Sequence, residues 1–369
     1  MNRPVRFAVI GSGWRAMYYL RIAAALPHLF EVSGVLCRKA EKAERIHQEF
    51  GVPAMFSAEE ICSGSPEFAV IAVDKAHINE VGAEWLERGI PALCETPAAM
   101  DRNALKQLRA IIRTGRTPVY AEQYLRYPEH IARIAILNSG LIGAPHFLNL
   151  SAAHGYHGAS LMRAFLQLPS DISFTVKACE WRFPTAETLT RYEQITDGRV
   201  ADKTRTAAFF TFENGKAAVY EFDSEQYRSP IRGNICKIQG ERGEILNTSV
   251  RWLNQDNLPE AEEITAETRT VITQDINPNF HSYEEITGIT LGRRQLYVPP
   301  YGQCGLSQDE TAIASLLEGM GAYVRKEADA PYSLQDALSD SLMAIALQEA
   351  VSTGREIHSE ELYQYWENM

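Results

Sequence analysis

A short glycine pattern near the start of the chain has the spacing of a phosphate-binding turn. Gly11, Gly13 and Ala16 stand in the order G-x-G-x-x-A, directly after the apolar run 5–10 and at the start of a stretch with helical periodicity. The first glycine permits a tight turn, the second lets a pyrophosphate approach the backbone, and the alanine allows close packing of helix on strand. The N-terminus of the helix favours the anion. We therefore predict a dinucleotide site formed by Gly11, Ser12, Gly13, Trp14, Arg15 and Ala16. The alternative is a tight turn that binds nothing.

The residues after the second predicted strand bear on which dinucleotide is bound. They are Cys37, Arg38 and Lys39. A site specific for NAD places Asp or Glu at this point, against the ribose 2′-hydroxyl. Because no carboxylate stands here, a 2′-phosphate is not repelled, and Arg38 offers it a bidentate partner while Lys39 adds charge. The sequence favours NADP over NAD, and the alternative is that both cations are merely solvated at the start of a helix.

Two histidines are the side chains best suited to move a proton. His154 and His157 lie three residues apart, with Tyr156 between them, after a predicted strand and at the start of a predicted helix. Transfer of hydride to or from a carbonyl needs a proton donor or acceptor near the reacting oxygen, and imidazole titrates near neutral pH. A core or capping role is the alternative for His157. We expect no metal site, because no third ligand stands at a suitable spacing.

Alternating strands and helices position these residues in the first part of the chain. We predict a doubly wound parallel sheet, and hence an N-terminal Rossmann domain over residues 1–122. The predicted strands are 5–10, 31–37, 54–56, 67–73, 91–95 and 118–122, and the predicted helices are 14–26, 39–50, 78–88 and 101–114.

The pattern changes after about residue 123, where strands predominate. Asn214-Gly215 between two alternating runs is a strong hairpin signal. We predict a second domain over residues 123–369, of the α+β class, with a large, mostly antiparallel open sheet. Its predicted strands are 147–153, 173–181, 204–213, 216–224 and 236–239, followed by irregular strands and loops over 255–300 and helices at 307–324 and 334–353. We expect the last helix to pack back on the first domain.

Composition excludes several classes of protein. A net charge of −11 over 369 residues, without a basic block, argues against binding of nucleic acid. No apolar span approaches the roughly 18 residues that a membrane helix needs, and we expect no secretory signal, since none is evident before the first strand. The six cysteines form no C-x-x-C pair, as is typical of free thiols. We expect a cytoplasmic protein that acts on a small molecule and has no membrane contact.

Over nearly its whole length the chain resembles the glucose-fructose oxidoreductase and inositol dehydrogenase family, Gfo/Idh/MocA. Besides the glycine pattern, the segments that carry the resemblance are 70–77 (VIAVDKAH), 92–97 (ALCETP), 119–128, 139–143 (SGLIG), 155–163 and 238–243. The resemblance implies an NAD(P)-dependent oxidoreductase acting on a hydroxyl or carbonyl of a small polar molecule, possible examples being sugars and polyols. It also implies a homodimer or homotetramer.

The resemblance further assigns site residues. It implies that the cofactor contacts Val73, His77, Glu95 and Thr96 and that the substrate side of the nicotinamide faces Gln123, Tyr124, Arg126 and Tyr156. For His77 a structural role is the alternative. The guanidinium of Arg126 suits a carboxylate or another polar group of a substrate.

The chain departs from the family pattern at two positions that matter for catalysis. The family carries Glu-Lys-Pro where this chain has Glu95-Thr96-Pro97, and it carries an aspartate where this chain has Ala153. Of the residues that the resemblance makes catalytic, His157 remains. Two hypotheses follow: an oxidoreductase in which His157 or His154 moves the proton, and a non-catalytic regulatory protein that senses a dinucleotide or a metabolite.

Overall fold

The computed structural model describes residues 3–275 and 277–368. The chain divides into two compact units. The first unit comprises the described residues up to Tyr127 together with Cys304–Ser341, and the second comprises Pro128–Gln303 and Leu342–Asn368.

The first unit is built on a six-stranded parallel sheet with the strand order β3-β2-β1-β4-β5-β6, which confirms the predicted Rossmann sheet. β1 and β4 are almost completely buried, as expected for central strands covered on both faces. The Asp101 side chain accepts from the Ala104 amide and caps α5. The elements are β1 (Val5–Ile10), α1 (Trp14–Ala25), β2 (Phe30–Leu36), α2 (Ala40–Phe50), β3 (Ala54–Met55), α3 (Ala58–Ser63), β4 (Phe68–Ile71), α4 (Ile78–Glu87), β5 (Ala92–Cys94), α5 (Arg102–Arg113) and β6 (Val119–Tyr120).

The second unit is built on an eleven-stranded sheet, ordered β16-β15-β14-β13-β12-β11-β7-β10-β9-β8-β17. Its strands pair antiparallel except for β7 with β10, which confirms the predicted mostly antiparallel sheet. The elements are α6 (Pro128–Asn138), β7 (Pro145–Ser151), α7 (Gly155–Leu166), β8 (Phe174–Ala186), β9 (Val200–Phe212), β10 (Ala217–Asp223), β11 (Ile235–Gly240), β12 (Gly243–Leu246), β13 (Ser249–Leu253), β14 (Pro259–Ile272), α8 (Pro278–His281), β15 (Ser282–Leu291) and β16 (Arg294–Tyr297).

The remaining elements close the chain. They are α9 (Gln308–Val324), α10 (Leu334–Thr353), β17 (Ile357–His358) and α11 (Ser359–Glu367). α9 lies in the first unit, and β17 pairs with β8 in the second. In the described parts of the chain, no helix combines the length and the apolar character needed to cross a membrane.

The hairpin predicted at Asn214-Gly215 joins β9 to β10. Gly215 has a φ of 81°, and the Phe212 amide donates to the Lys216 carbonyl at 2.9 Å across the turn. The segment 255–300, predicted as irregular strands and loops, contains the paired strands β14, β15 and β16, with breaks in register at Glu267/Thr268 and Ile289/Thr290. Nearly every residue of β14 is exposed, so the strand lacks the alternation of apolar and polar residues by which a half-buried strand is recognised.

The two faces of the large sheet differ in character. On one face, buried residues of β7 such as Leu148 and Leu150 lie beneath α7, whose own residues are almost all buried. Residues paired across neighbouring strands share a face. By this pairing the opposite face carries large apolar side chains that are each at least a third exposed, among them Trp181, Phe209, Ile235 and Leu246.

Candidate functional site

The predicted glycine loop connects β1 to α1, and its two glycines have different structural roles. Gly11 has a φ of 122°, and a Cβ placed on it would lie 2.4 Å from the Ala72 carbonyl oxygen. Gly13 is the exposed N-cap of α1, and no atom lies within 4 Å of the position where its Cβ would be. The first turn of α1 carries no acidic residue. The loop therefore offers a tight turn, open space and backbone amides with no acidic side chain in the first turn of the helix. These are the features that a pyrophosphate needs.

The side chain of Arg15 lies between two carboxylates. Its Nε donates to Glu95 Oε1 at 2.7 Å, and its Nη1 donates to Asp309 Oδ2 at 2.9 Å. Tyr19 also donates to Glu95 Oε1, at 2.5 Å. Burial opposes the charge of Arg15, but Asp309 and Glu95 outweigh it and hold the pKa of Arg15 well above its ordinary value. Because the guanidinium already donates to two carboxylates of the protein, the loop presents backbone amides rather than this side chain to a phosphate.

Glu95, Thr96 and Gln123 follow β5 and β6 at the carboxyl edge of the sheet. Glu95 is 8% exposed, Thr96 is half-buried, and the peptide between Thr96 and Pro97 is cis. The amide of Gln123 is satisfied when its oxygen accepts from Arg15 Nη2 at 3.1 Å and its nitrogen donates to the Ala121 carbonyl at 2.9 Å. Arg15 therefore links the glycine loop to the ends of two further strands.

The predicted determinant of cofactor choice lies at the end of β2. Arg38 and Lys39 are both exposed where α2 begins, whereas Cys37 is buried. Burial raises the pKa of the Cys37 thiol, and a hydrogen bond with Ser12 of the glycine loop opposes this shift. Lys42 Nζ donates to the Ser12 carbonyl at 3.3 Å. The sequence did not identify Lys42, which adds a third cation beside the loop.

The other residues assigned by resemblance in this unit differ in their surroundings. Val73 is half-buried, and its Cγ1 lies 3.6 Å from the position of a Cβ on Gly11. His77 is exposed, and its Nδ1 lies 3.2 Å from Glu80 Oε2. Arg126 donates through Nη2 to the Pro331 carbonyl at 2.7 Å. The guanidinium of Arg126 thus anchors its turn within the first unit.

Tyr124 also lies in that turn, which spans Tyr124–Arg126. Its ring stacks on that of Tyr127 with centroids 4.7 Å apart, and its amide donates to Glu122 Oε1 at 2.9 Å. Tyr127 donates to Asp309 Oδ1 at 2.9 Å, so Asp309 joins this turn to Arg15. The role of Asp309 was not apparent from the sequence, because 294 residues separate it from Arg15.

In the second unit the two predicted histidines lie side by side. The ring of His154 is edge-on to those of Tyr156, His157 and Tyr227, with centroids 4.7, 4.9 and 5.6 Å away. The rings of Tyr156 and His157 are 4.5 Å apart, and Phe222 completes the cluster. The structure therefore brings His154, Tyr156 and His157 together, as the sequence predicted.

Two tyrosines hold the turn from which α7 begins. Tyr220 Oη accepts from the Gly155 amide at 2.8 Å and donates to the Ala153 carbonyl at 3.0 Å. Tyr227 Oη accepts from the His154 amide at 3.0 Å and also makes a hydrogen bond with His154 Nδ1. The sequence missed Tyr227 because it lies 73 residues from His154 in a short helical turn without a motif.

His157 is 4% exposed and lies in the first turn of α7. Its carbonyl accepts from Ser160 Oγ at 2.9 Å. Ala153 is completely buried, and a Cβ on Gly158 would lie 2.6 Å from Tyr220 Cε2. The glycine thus lets the ring of Tyr220 approach the helix.

Among the residues that the structure describes, no group of three His, Cys, Asp or Glu is arranged to hold a metal ion.

The part of the chain that contains the glycine loop and the parallel sheet resembles a known family. Residues 5–121 match the model of GFO_IDH_MocA, described as an oxidoreductase family with an NAD-binding Rossmann fold. A comparison with curated proteins gave no match.

Solved structures extend the likeness beyond residues 5–121. An oxidoreductase from Agrobacterium radiobacter, in complex with NAD+, L-tartaric acid and magnesium, is 15% identical, with a TM-score of 0.66 over 97% of this chain and 99% of that chain. An oxidoreductase from Thermotoga maritima is 19% identical, with a TM-score of 0.65 over 98% and 100%. The scyllo-inositol dehydrogenase from Lactobacillus casei is 14% identical, with a TM-score of 0.64 over 98% and 100%. At these identities the likeness shows a shared fold across both units.

Proposed function

We propose that this chain is an NAD(P)-dependent oxidoreductase acting on a hydroxyl or carbonyl group of a small polar molecule, of the sugar or polyol type. The open N-terminus of α1 carries the proposal, because Gly13 leaves space where a side chain would block a pyrophosphate. The match of residues 5–121 to an NAD-binding oxidoreductase family supports it. So does the dehydrogenase named among the similar structures.

A bound dinucleotide would give hydride to a carbonyl in its reduced form or take hydride from a hydroxyl carbon in its oxidised form. The backbone amides of the glycine loop would hold the pyrophosphate, and Glu95 and Thr96 would line the nicotinamide ribose. His157, or failing it His154, moves the proton of the substrate oxygen. Gln123, Tyr124 and Tyr156 border the substrate. Arg126 is a weaker candidate for this role, since its guanidinium already donates to Pro331.

The preferred cofactor is NADPH rather than NADH. Arg38 and Lys39 are exposed at the end of β2, and Lys42 adds positive charge beside them. The double substitution Arg38→Ala with Lys39→Ala should weaken NADPH binding by roughly tenfold to a hundredfold and leave NADH binding nearly unchanged. Fluorescence titration with each cofactor measures both affinities. Equal losses for the two cofactors would contradict the assignment.

The decisive experiment combines binding with turnover. The purified protein is titrated with NADPH and NADH, and oxidation is then followed at about 340 nm across a panel of small carbonyl compounds. Binding together with consumption of cofactor by one carbonyl supports the oxidoreductase. Failure to bind either cofactor contradicts the proposal.

A second candidate function follows from the two departures from the family pattern. Thr96 stands where the resemblance implies a catalytic lysine, and the buried Ala153 stands where it implies an aspartate. Neither side chain exchanges a proton near neutral pH. A regulatory protein that senses a dinucleotide or a metabolite would keep the glycine loop and dispense with turnover. Tight binding of a dinucleotide without turnover of any carbonyl in the panel supports this candidate.

A further inference from the structure

Arg15 bonds three groups of the first unit through three different nitrogen atoms. Its Nε donates to Glu95 Oε1 at 2.7 Å, and its Nη1 donates to Asp309 Oδ2 at 2.9 Å. Its Nη2 lies 3.1 Å from the side-chain oxygen of Gln123, in the amide orientation that satisfies this residue. Arg15 stands in the first turn of α1 and Asp309 in the first turn of α9. One guanidinium therefore ties the start of α1 to α9 and to the residues that follow β5 and β6.

This set of bonds needs the geometry of an arginine. A guanidinium presents its N–H groups in a rigid planar fork, whereas the ammonium group of lysine is a compact point charge on a flexible stem. The side chain of Arg15 is only 18% exposed, so the protein rather than water surrounds the fork. Its orientation is therefore set by its three partners.

The order of the strands separates these partners from the residues that bear on the choice between NAD and NADP. Arg38 follows β2, which lies on one side of β1, whereas β4, β5 and β6 lie on the other side. In a sheet of this kind a dinucleotide binds across the carboxyl ends of the strands, with its adenosine ribose at the end of β2. The nicotinamide half would therefore extend from the glycine loop towards Glu95 and Gln123.

The carboxylate of Glu95 is held at one of its two oxygens. Arg15 and Tyr19 both donate to Oε1, at 2.7 and 2.5 Å. The side chain of Glu95 keeps 11% of its surface exposed. Two donors on one oxygen fix the direction of the carboxylate, and Oε2, to which neither of them donates, can accept from a hydroxyl group. A ribose of the nicotinamide half carries such hydroxyl groups.

We propose that Arg15 is a positioning residue for the nicotinamide half of the dinucleotide, and that Asp309 orients Arg15 from α9. This inference rests on the proposed function. Arg15 acts through Glu95 and Gln123, and the backbone amides of the glycine loop serve the pyrophosphate. Side chains that are held in place before binding lose little freedom when the ligand arrives, so their loosening weakens affinity. The loss should be confined to ligands that contain the nicotinamide half.

Arg15→Lys tests the role of the fork, because it keeps the positive charge and removes the planar geometry. Binding of NADPH should weaken by about tenfold, whereas binding of adenosine 2′,5′-bisphosphate, which lacks the nicotinamide and its ribose, should stay within about twofold. Titration calorimetry measures both affinities. The same comparison of NADH with ADP makes the result independent of cofactor preference. Equal losses for a dinucleotide and its fragment overturn the proposal, and so does wild-type affinity for both dinucleotides.

Asp309→Ala separates positioning from charge. Removal of a carboxylate makes the site more positive, so charge alone should tighten the binding of phosphates. Loss of the partner of Nη1 should instead weaken NADPH binding by about fivefold and leave the bisphosphate unchanged or bound more tightly. Asp309→Asn restores an oxygen that can accept from Nη1, and its affinity for NADPH should return to within about twofold of the wild type. Tighter binding of NADPH by Asp309→Ala overturns the role of Asp309.

Glu310→Gln is the matched control on the same helix. Glu310 follows Asp309 in α9 and also accepts from an arginine of α1, since Arg21 Nε lies 2.6 Å from its Oε1. The substitution should lower the melting temperature but leave the ratio of the affinities for NADPH and the bisphosphate unchanged. A change in this ratio as large as that in Asp309→Ala would mean that loosening α9 suffices, and it overturns the proposal.

The wild type distinguishes failure of this inference from failure of the proposed function. Absence of binding of both NADPH and NADH contradicts the proposed function, and the inference falls with it. Binding by the wild type together with equal losses for dinucleotide and fragment in the variants overturns the inference alone.

Discussion

Single residues decide what the glycine loop can bind. Gly11 is required by the backbone, because its φ is positive and the Ala72 carbonyl lies where a Cβ would stand. Gly13 has a φ of −86°, which any residue can adopt, and open space beside it. The fold therefore does not need a glycine at position 13, whereas a bound pyrophosphate does. Substitutions at the two positions should separate stability from binding.

Gly13→Val should weaken the binding of NADPH and of NADH by roughly a hundredfold, since the new side chain fills the space of the phosphate and masks the amides. The melting temperature without cofactor should change by less than about 2 °C. Gly11→Ala is the matched control and should destabilise the fold by about 2 kcal/mol or more, because of its positive φ and the clash. Titration and thermal melting of both variants check these results. Wild-type affinity in Gly13→Val would contradict the site.

His157→Ala should lower kcat by on the order of a hundredfold and leave the affinity for the cofactor nearly unchanged. The reason is that His157 is proposed to act on the substrate oxygen, whereas the glycine loop is proposed to hold the cofactor. Turnover of the best carbonyl and cofactor titration measure the two quantities. An unchanged kcat would remove His157 from the mechanism.

At the scale of elements, α9 is anchored at both ends within the first unit. Near its start, the buried Glu310 accepts from Arg21 Nε at 2.6 Å. At its end, Arg325 donates to both oxygens of Glu67, at 2.7 and 2.8 Å. The hydrogen bonds from Arg325 lower the pKa of Glu67 to about 2. The contribution of the Glu67 carboxylate to the free energy of unfolding therefore depends on pH.

Glu67→Gln should lower the free energy of unfolding at neutral pH by about 1–3 kcal/mol. Since the pKa of Glu67 is lower in the folded state than in the unfolded state, its contribution is complete above the ordinary pKa of 4.5 and is lost as the pH falls through about 2. The difference between wild type and variant should therefore shrink over that range. Urea unfolding at several pH values measures it.

Glu59→Gln is the matched control for this prediction. Glu59 pairs with Arg88 at 3.2 Å, but its side chain is 75% exposed, so the pair should contribute little. Equal effects of the two substitutions at neutral pH would contradict the assignment of Glu67 as an anchor.

The elements also show what a sequence can and cannot predict. The run 5–10, the glycine loop and α1 are recognisable because strand, turn and helix each have a local signature. The proximity of His154 and His157 follows from their spacing of three. The tertiary partners of His154 and Arg15 could not be predicted. Tyr227, which bonds His154, is 73 residues away in the sequence, and Asp309, which bonds Arg15, is 294 residues away. Strand β14 gave no signal because its residues are exposed.

At the scale of the whole molecule, the open face of the large sheet bears on association. Trp181, Phe209, Ile235 and Leu246 are partly exposed on the face opposite α7. Apolar side chains left exposed on an open sheet face suit a contact with another protein surface. The resemblance implies a homodimer or homotetramer, and we propose that this face forms the contact between copies of the chain.

Phe209→Asp should shift the protein from an oligomer towards the monomer, because it places a charge in the apolar contact. Size-exclusion chromatography with light scattering measures the mass. Tyr192→Asp is the matched control, since Tyr192 is 70% exposed and lies outside the strands of the sheet. A wild-type protein that is monomeric at micromolar concentration would contradict the proposal.

The membership of α9 in the first unit has a consequence for the order in which the protein is made. A ribosome releases residues up to Tyr127 long before Cys304–Ser341, although both belong to one compact unit. Until the later segment emerges, Arg21 and Glu67 lack their partners on α9, and Val5 lacks the contact with Gly321. Domains generally fold as units during synthesis. In this chain the first unit can complete its structure only after most of the second unit has been translated.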